Sequence, residues 1–179
     1  SPAQLGSRVA HVNMTDNQMA NYGPGNSSWE LWHRGPIRDR RNVVLVHGYR
    51  LPLASKRGRC DEQFARLDDL LQKERDGYNV WQFEYVASRW GTYETVGAYA
   101  ARLSQAVDTI SSLTDRTGCS MVAYSMGGLI ARQYIATGGR AKVDRLLTLA
   151  VPNMGTLRFE PFSLAIADRI LPRAAAELG

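Results

Sequence analysis

The chain has 179 residues and a mass of 19.9 kDa, with 44% hydrophobic and 22% charged residues. That balance builds one globular core and excludes a disordered chain. The 22 Lys and Arg exceed the 17 Asp and Glu by a formal +5. However, the basic knots at Arg38, Arg40, Arg41 and at Lys56, Arg57, Arg59 come without zinc-finger spacing or an RNA-binding aromatic run, so they read as solvated surface and not as a nucleic-acid site.

No apolar run approaches the roughly 18 residues that a bilayer-spanning helix needs. The first residues, Ser1, Pro2, Ala3 and Gln4, show neither the basic region nor the apolar stretch of a secretory leader. This leaves secretion open, since a mature chain has already lost its leader.

Residues 7–15 and 27–34 are extended in character, and residues 21–26 between them have turn chemistry, which predicts an N-terminal β-hairpin within residues 1–40. Trp29, Leu31 and His33 share one face of the second strand, with Glu30 and Trp32 on the other. His11 and His33 therefore fall on strands, with no acidic or nucleophilic neighbour to give them a catalytic role.

The apolar run Val43, Val44, Leu45, Val46 does not alternate, which predicts a strand covered on both faces. A helix at about 61–75 follows, with Phe64, Leu67, Leu70 and Leu71 inward, Asp61 and Glu62 at its positive end, and Gly77 as its stop. Residues 79–86 read as a strand. A helix at 93–114 carries Val96, Tyr99, Leu103, Val107 and Ile110 on one stripe, with Thr92 as N-cap. Residues 119–124 form a strand, 126–136 a helix ending at Gly138 and Gly139, and 143–151 a last strand.

This alternation predicts an α/β fold with a mostly parallel sheet and helices on both faces. The whole chain, 1–179, is expected to be a single domain, with residues 157–179 beginning a lid or cap. In this topology Cys119 opens a strand and Cys60 precedes a helix that starts from the opposite edge of the sheet. Strands of that length separate the two by about 17 Å, beyond the reach of a disulfide. Two free thiols are expected, and no Cys-x-x-Cys pair suggests a metal or redox site.

The chemistry is concentrated in Val122, Ala123, Tyr124, Ser125, Met126, Gly127, Gly128. A strand runs into a serine and then straight into a helix. Small residues on both sides suit a sharply bent backbone and a helix start pressed against the neighbouring strand. The bend lifts the hydroxyl above the sheet edge and places the Met126 N–H where it can stabilise an oxyanion. On the plainer alternative, Ser125 only caps the helix and the glycines only permit close packing.

This stretch resembles the nucleophile elbow of the α/β-hydrolase family, specifically its serine lipases and esterases, with Ala123 in place of the first glycine of Gly-x-Ser-x-Gly. Two further stretches are similar to that family. Val43–Val46 followed by His47, Gly48 and Tyr49 matches its oxyanion loop, and Pro152, Asn153, Met154, Gly155 and Thr156 match the segment after the next strand. The resemblance covers about residues 43–156. It implies an α/β-hydrolase fold, Ser125 as nucleophile, Met126 and Tyr49 as oxyanion donors, and His47, Gly48 and Gly127 in support. It implies no metal or organic cofactor, an ester or lipid small molecule as substrate, transient contact with a lipid interface, and a secreted location.

A serine nucleophile needs a base, and the base an orienting acid. The histidines are His11, His33 and His47, all upstream of Ser125. A Ser125–His47 dyad is one alternative. Asp144 begins a strand at the wrong edge, and Asp168 lies in the cap. The resemblance also implies two further strands after Val151, which are missing. The chain is therefore expected to be the N-terminal portion of a longer hydrolase, with the acid and histidine on the remainder of the same polypeptide.

An apolar helix at 162–171 suits a lid and equally a core-packing helix of an ordinary domain, and Leu51, Leu53, Trp90, Phe159 and Phe162 flank the same edge as candidate pocket residues. A non-catalytic binding or assembly module is the competing function. Amidase, thioesterase and haloperoxidase chemistries share the same elbow.

Overall fold

The computed structural model describes residues 15–24, 29–49, 59–74, 77–85 and 94–153. The expectations on His11, residues 7–14, Leu51, Leu53, Lys56, Arg57, Trp90, Thr92, Phe159, Phe162, Asp168 and the 162–171 helix lie outside these residues, as do the side chains of Arg59, Asp61 and Glu62.

Apolar runs and amphipathic stretches alternate as β1 (Met19–Asn21), β2 (Glu30–Arg34), β3 (Arg41–Val46), α1 (Arg59–Lys73), β4 (Tyr78–Glu84), α2 (Val96–Thr114), β5 (Cys119–Tyr124), α3 (Met126–Ala136), a 3₁₀ turn (Gly139–Lys142) and β6 (Val143–Leu149). The six strands form one sheet in the order β1-β2-β4-β3-β5-β6. β4, β3, β5 and β6 are parallel, and the hairpin β1–β2 joins β4 antiparallel.

Alternate residues of the central strands feed two separate cores. Val43, Leu45, Val80 and Val122 pack with Cys60 and Phe64 of α1. Val44, Val46, Trp81, Phe83, Met121 and Ala123 pack with Val96, Tyr99, Leu103, Val107 and Ile110 of α2 and with Ile130 and Tyr134 of α3. Helices therefore cover both faces, and the non-alternating apolar run of β3 is explained by burial on both sides.

Five local expectations need correction. The first strand of the hairpin is Met19–Asn21, while Thr15 lies in a turn closed by Gln18, whose N–H donates to the Thr15 carbonyl at 3.0 Å. Asn21 belongs to the strand, and its Oδ1 accepts from the N–H groups of Gly23 (2.8 Å) and Leu31 (3.1 Å), clamping the start of the loop. The N-cap of α2 is Thr95, whose hydroxyl oxygen accepts from Ala98 N–H at 3.1 Å.

In α1, Leu70 is 62% exposed. The inward position goes instead to Asp68, which is buried and meets Arg34 Nη2 at 3.2 Å, Gln82 Nε2 at 3.0 Å and Gln72 Nε2 at 2.5 Å. Helical spacing puts Phe64, Asp68 and Leu71 on one face and Leu70 on the other. A polar partner set makes the acid tolerable inside. Finally, β6 ends at Leu149 and not at Val151, because Ala150 turns to a φ of +50°.

Both cysteines are free and buried. Cys60 Sγ lies near the carbonyls of Leu45 and Phe83 at one end of the strands, and Cys119 opens β5 at the other. Burial, aided by the Asp144 carboxylate, pushes the Cys119 thiol up to about 12. The folded chain therefore keeps this proton up to about pH 12, whereas the unfolded chain releases it near the ordinary thiol value of 9.0.

This contribution to stability is complete below pH 9 and is lost as pH rises through 9 to 12, for a total of about 4 kcal/mol. Urea midpoints measured from pH 8 to 11 should fall steeply in the native protein and less steeply in Cys119→Ala. Equal slopes would show that another group governs the alkaline limb.

Candidate active site

In this strand order the chain leaves β3 towards β4 on one side and leaves β5 towards β6 on the other. The loops after β3 and β5 thus part at adjacent positions on the carboxyl edge of the sheet, which opens a crevice there. His47, Gly48 and Tyr49 follow β3, and Ser125 follows β5.

Ser125 has φ +51° and ψ −123°, a conformation that side chains rarely adopt, and it makes no side-chain capping bond to α3. A capping role for the hydroxyl is therefore set aside. The bend is held from two sides. Ser125 N–H donates to the Leu149 carbonyl of β6 at 2.9 Å, and the Ser125 carbonyl accepts from Gly128 N–H at 3.0 Å. The residue is half-buried, while Met126 is buried beneath it.

Each glycine here sits at a close approach. A Cβ on Gly127 would overlap the carbonyl oxygens of Val46 and His47, so α3 begins directly against the end of β3. One on Gly128 would meet the Val151 side chain. One on Gly48 would come within 2.9 Å of Ser125 Cβ and 2.8 Å of the Tyr124 ring. The loop after β3 and the elbow after β5 are therefore in contact, and Ser125, Met126, Gly127, His47 and Gly48 form one cluster with Tyr49 beside it. Ala123 is completely buried, and at that position only a small side chain is needed.

The His47 ring is 1% exposed. Its Nδ1 lies 2.7 Å from the Gly48 carbonyl oxygen and its Nε2 lies 3.2 Å from Glu84 Oε2. Nδ1 bonds to the Gly48 carbonyl and Nε2 faces the Glu84 carboxylate at ion-pair distance without a hydrogen bond among the described residues, which disfavours the Ser125–His47 dyad. His33 is buried against Trp81 with its Nδ1 3.1 Å from the Gly35 carbonyl, on a strand remote from Ser125. Asp144 packs beside Gly118 and Cys119, at the edge opposite the elbow.

Three residues that pattern reading missed support the loop. Gln63 Oε1 accepts from Gly48 N–H at 2.7 Å, Tyr85 stacks on the His47 ring at 4.0 Å, and Glu84 meets its Nε2. The one available signal was a carboxylate inside 79–86, a strand covered on both faces.

Solved structures of similar shape match this fold. The mature form of a Bacillus licheniformis lipase matches with a TM-score of 0.55 at 19% identity, over 92% of this chain and 61% of that one. A highly thermostable carboxyl esterase from Bacillus coagulans matches at 0.52 and 22% identity, over 73% and 43%. A bromoperoxidase from Bacillus anthracis matches at 0.53 and 19%, over 80% and 48%. At such identities the likeness establishes the fold, which is that of the α/β-hydrolases, and this chain spans about half the length of those it matches. The sequence profile of the palmitoyl protein thioesterases matches residues 42–176, and the chain belongs to that family. No curated protein sequence matches it significantly.

Proposed function

We propose that this chain carries the nucleophile and the oxyanion cradle of a serine hydrolase that cleaves carboxylic esters through an acyl-enzyme. Ser125 Oγ attacks the ester carbonyl, its proton passes to a base, and the carbonyl π electrons collapse onto oxygen. The N–H groups of Met126 and Tyr49 hold that oxyanion; Met126 N–H opens α3, where the helix itself offers it no carbonyl. Collapse then expels the alcohol and leaves the acyl group on Ser125, and water releases it in the reverse sense.

We assign the base and its acid to polypeptide beyond this chain, because no histidine of this sequence follows Ser125 and the His47 ring faces the Gly48 carbonyl and the Glu84 carboxylate. The substrate is an ester or lipid small molecule, met at a lipid interface. The observation that carries this reading is the strained conformation of Ser125 in contact with the Gly48 loop.

A thioester substrate is the second reading, favoured by the family match alone. A fluorophosphonate probe on the full-length protein tests the nucleophile: stable labelling that Ser125→Ala abolishes is expected. A folded, unlabelled protein would leave a binding module as the better account. Paired acyl oxygen esters and thioesters of equal chain length then separate the two substrate classes.

A further inference from the structure

Beneath the cleft lies a buried acid that the proposed chemistry does not use. Glu84 ends β4 and is 7% exposed. Its Oε1 accepts from Cys60 N–H at the start of α1 (2.9 Å), and its Oε2 faces His47 Nε2 at 3.2 Å. The other ring nitrogen, Nδ1, lies 2.7 Å from the Gly48 carbonyl oxygen. Tyr85 closes the ring from one side at an interplanar angle of 7°, and its hydroxyl donates to the His47 carbonyl at 3.2 Å.

A neutral imidazole has one donor nitrogen and one acceptor nitrogen. Here both nitrogens face oxygen: a carbonyl, which only accepts, and a carboxyl oxygen. An imidazolium can donate through Nδ1 to the carbonyl while Nε2, which makes no hydrogen bond among the described residues, faces the carboxylate at ion-pair distance, so that the two charges offset each other. Removing its proton would leave a ring lone pair against an oxygen lone pair in a buried site, which is costly.

The Gly48 bond has a directional consequence. In a planar trans peptide the C=O and the following N–H point to opposite sides. With the Gly48 carbonyl held by His47, the N–H of the same unit, which belongs to Tyr49, is turned away from the ring. Gln63 fixes the preceding N–H, that of Gly48.

We propose that Glu84 is a positioning residue for the oxyanion hole: it holds His47 as an imidazolium, whose Nδ1–H locks the Gly48–Tyr49 peptide with the Tyr49 N–H presented to the cleft. The kinetic consequence rests on the serine-hydrolase reading; the protonation of His47 does not.

The test has a spectroscopic arm and a kinetic arm, both on the full-length protein. Nitrogen-15 NMR of the histidine rings should show both His47 nitrogens protonated in the native protein. In Glu84→Gln the amide N–H donates to Nε2, so only Nδ1 should remain protonated while the Gly48 bond survives. A native His47 with a single protonated nitrogen overturns the assignment, whether or not the protein is an enzyme.

For ester turnover, Glu84→Met should lower kcat by roughly 10–100-fold, short of the loss expected for deleting an oxyanion donor, with KM little changed. Glu84→Gln, neutral like the native pair, should restore most of kcat. If Glu84→Met does not fold, Glu84→Asp, one methylene short of His47, takes its place with the same expected direction. Turnover that survives Ser125→Ala would sink the hydrolase reading. Turnover lost in Ser125→Ala but unchanged in Glu84→Met or its substitute would sink the positioning role alone.

Discussion

Gly127→Ala should destabilise the protein by about 3 kcal/mol or more and abolish probe labelling at Ser125. The added methyl meets the backbone carbonyl oxygens of Val46 and His47. Overpacking against side chains costs about 1–3 kcal/mol because rotamers adjust, but a strand backbone inside a six-stranded sheet has no such freedom. The helix must therefore back away from β3, and it takes the Ser125 bend with it.

Two neighbours rank the effect. Gly128→Ala meets the Val151 side chain, which can rotate, and should cost less. Gly97→Ala, near the start of α2, has among the described residues only the Thr95 hydroxyl within 4 Å and should stabilise by roughly 0.5–1 kcal/mol through helix propensity. Denaturant midpoints of the three variants test the order, and a Gly127→Ala midpoint no lower than that of Gly128→Ala would contradict the backbone contact.

The same contrast between backbone-level and contact-level information separates what was legible in the sequence from what was not. Val43–Val46 and the stretch from Cys119 to Ala136 were readable because β-branched apolar runs and a strand–serine–helix junction are local patterns with few alternative solutions. The cluster around Ser125 and Gly48 was readable for the same reason, since both loops declare themselves by where an apolar strand stops.

Leu70 reads as inward from its apolar character, and the burial of Asp68 in its place is hidden from the helix's own sequence because it depends on Arg34 and Gln82, which lie on β2 and β4. Glu84 and Gln63 went unnoticed because their importance arises only when β3, β4 and α1 are brought together around His47. Thr95 displaced Thr92 as cap through the actual start of the turn, which a one- or two-residue uncertainty in helix ends hides from pattern reading.

Ser125→Gly and Ser125→Ala should be equally inactive and unequally stable. Loss of the nucleophile is expected to lower turnover by about 10⁶-fold in either case. The backbone conformation tells the two apart. At φ +51° and ψ −123° a side chain is strained, which costs on the order of 1–3 kcal/mol. Alanine keeps the Cβ and hence the strain, so it should leave stability close to native.

Glycine removes the strain but gains freedom in the unfolded chain, which offsets roughly 0.4–1 kcal/mol of the benefit. The glycine variant should thus exceed the alanine variant by about 1 kcal/mol in urea unfolding. The strain persists because the sheet over-determines it: β6 holds the Ser125 N–H, α3 holds its carbonyl, and Gly48 and Gly127 close the space on the β3 side. On the proposed mechanism this bend would present the hydroxyl to the crevice, so activity and stability would be opposed at one residue. Equal midpoints for the two variants would mean that the bend is relaxed and that the opposition does not exist.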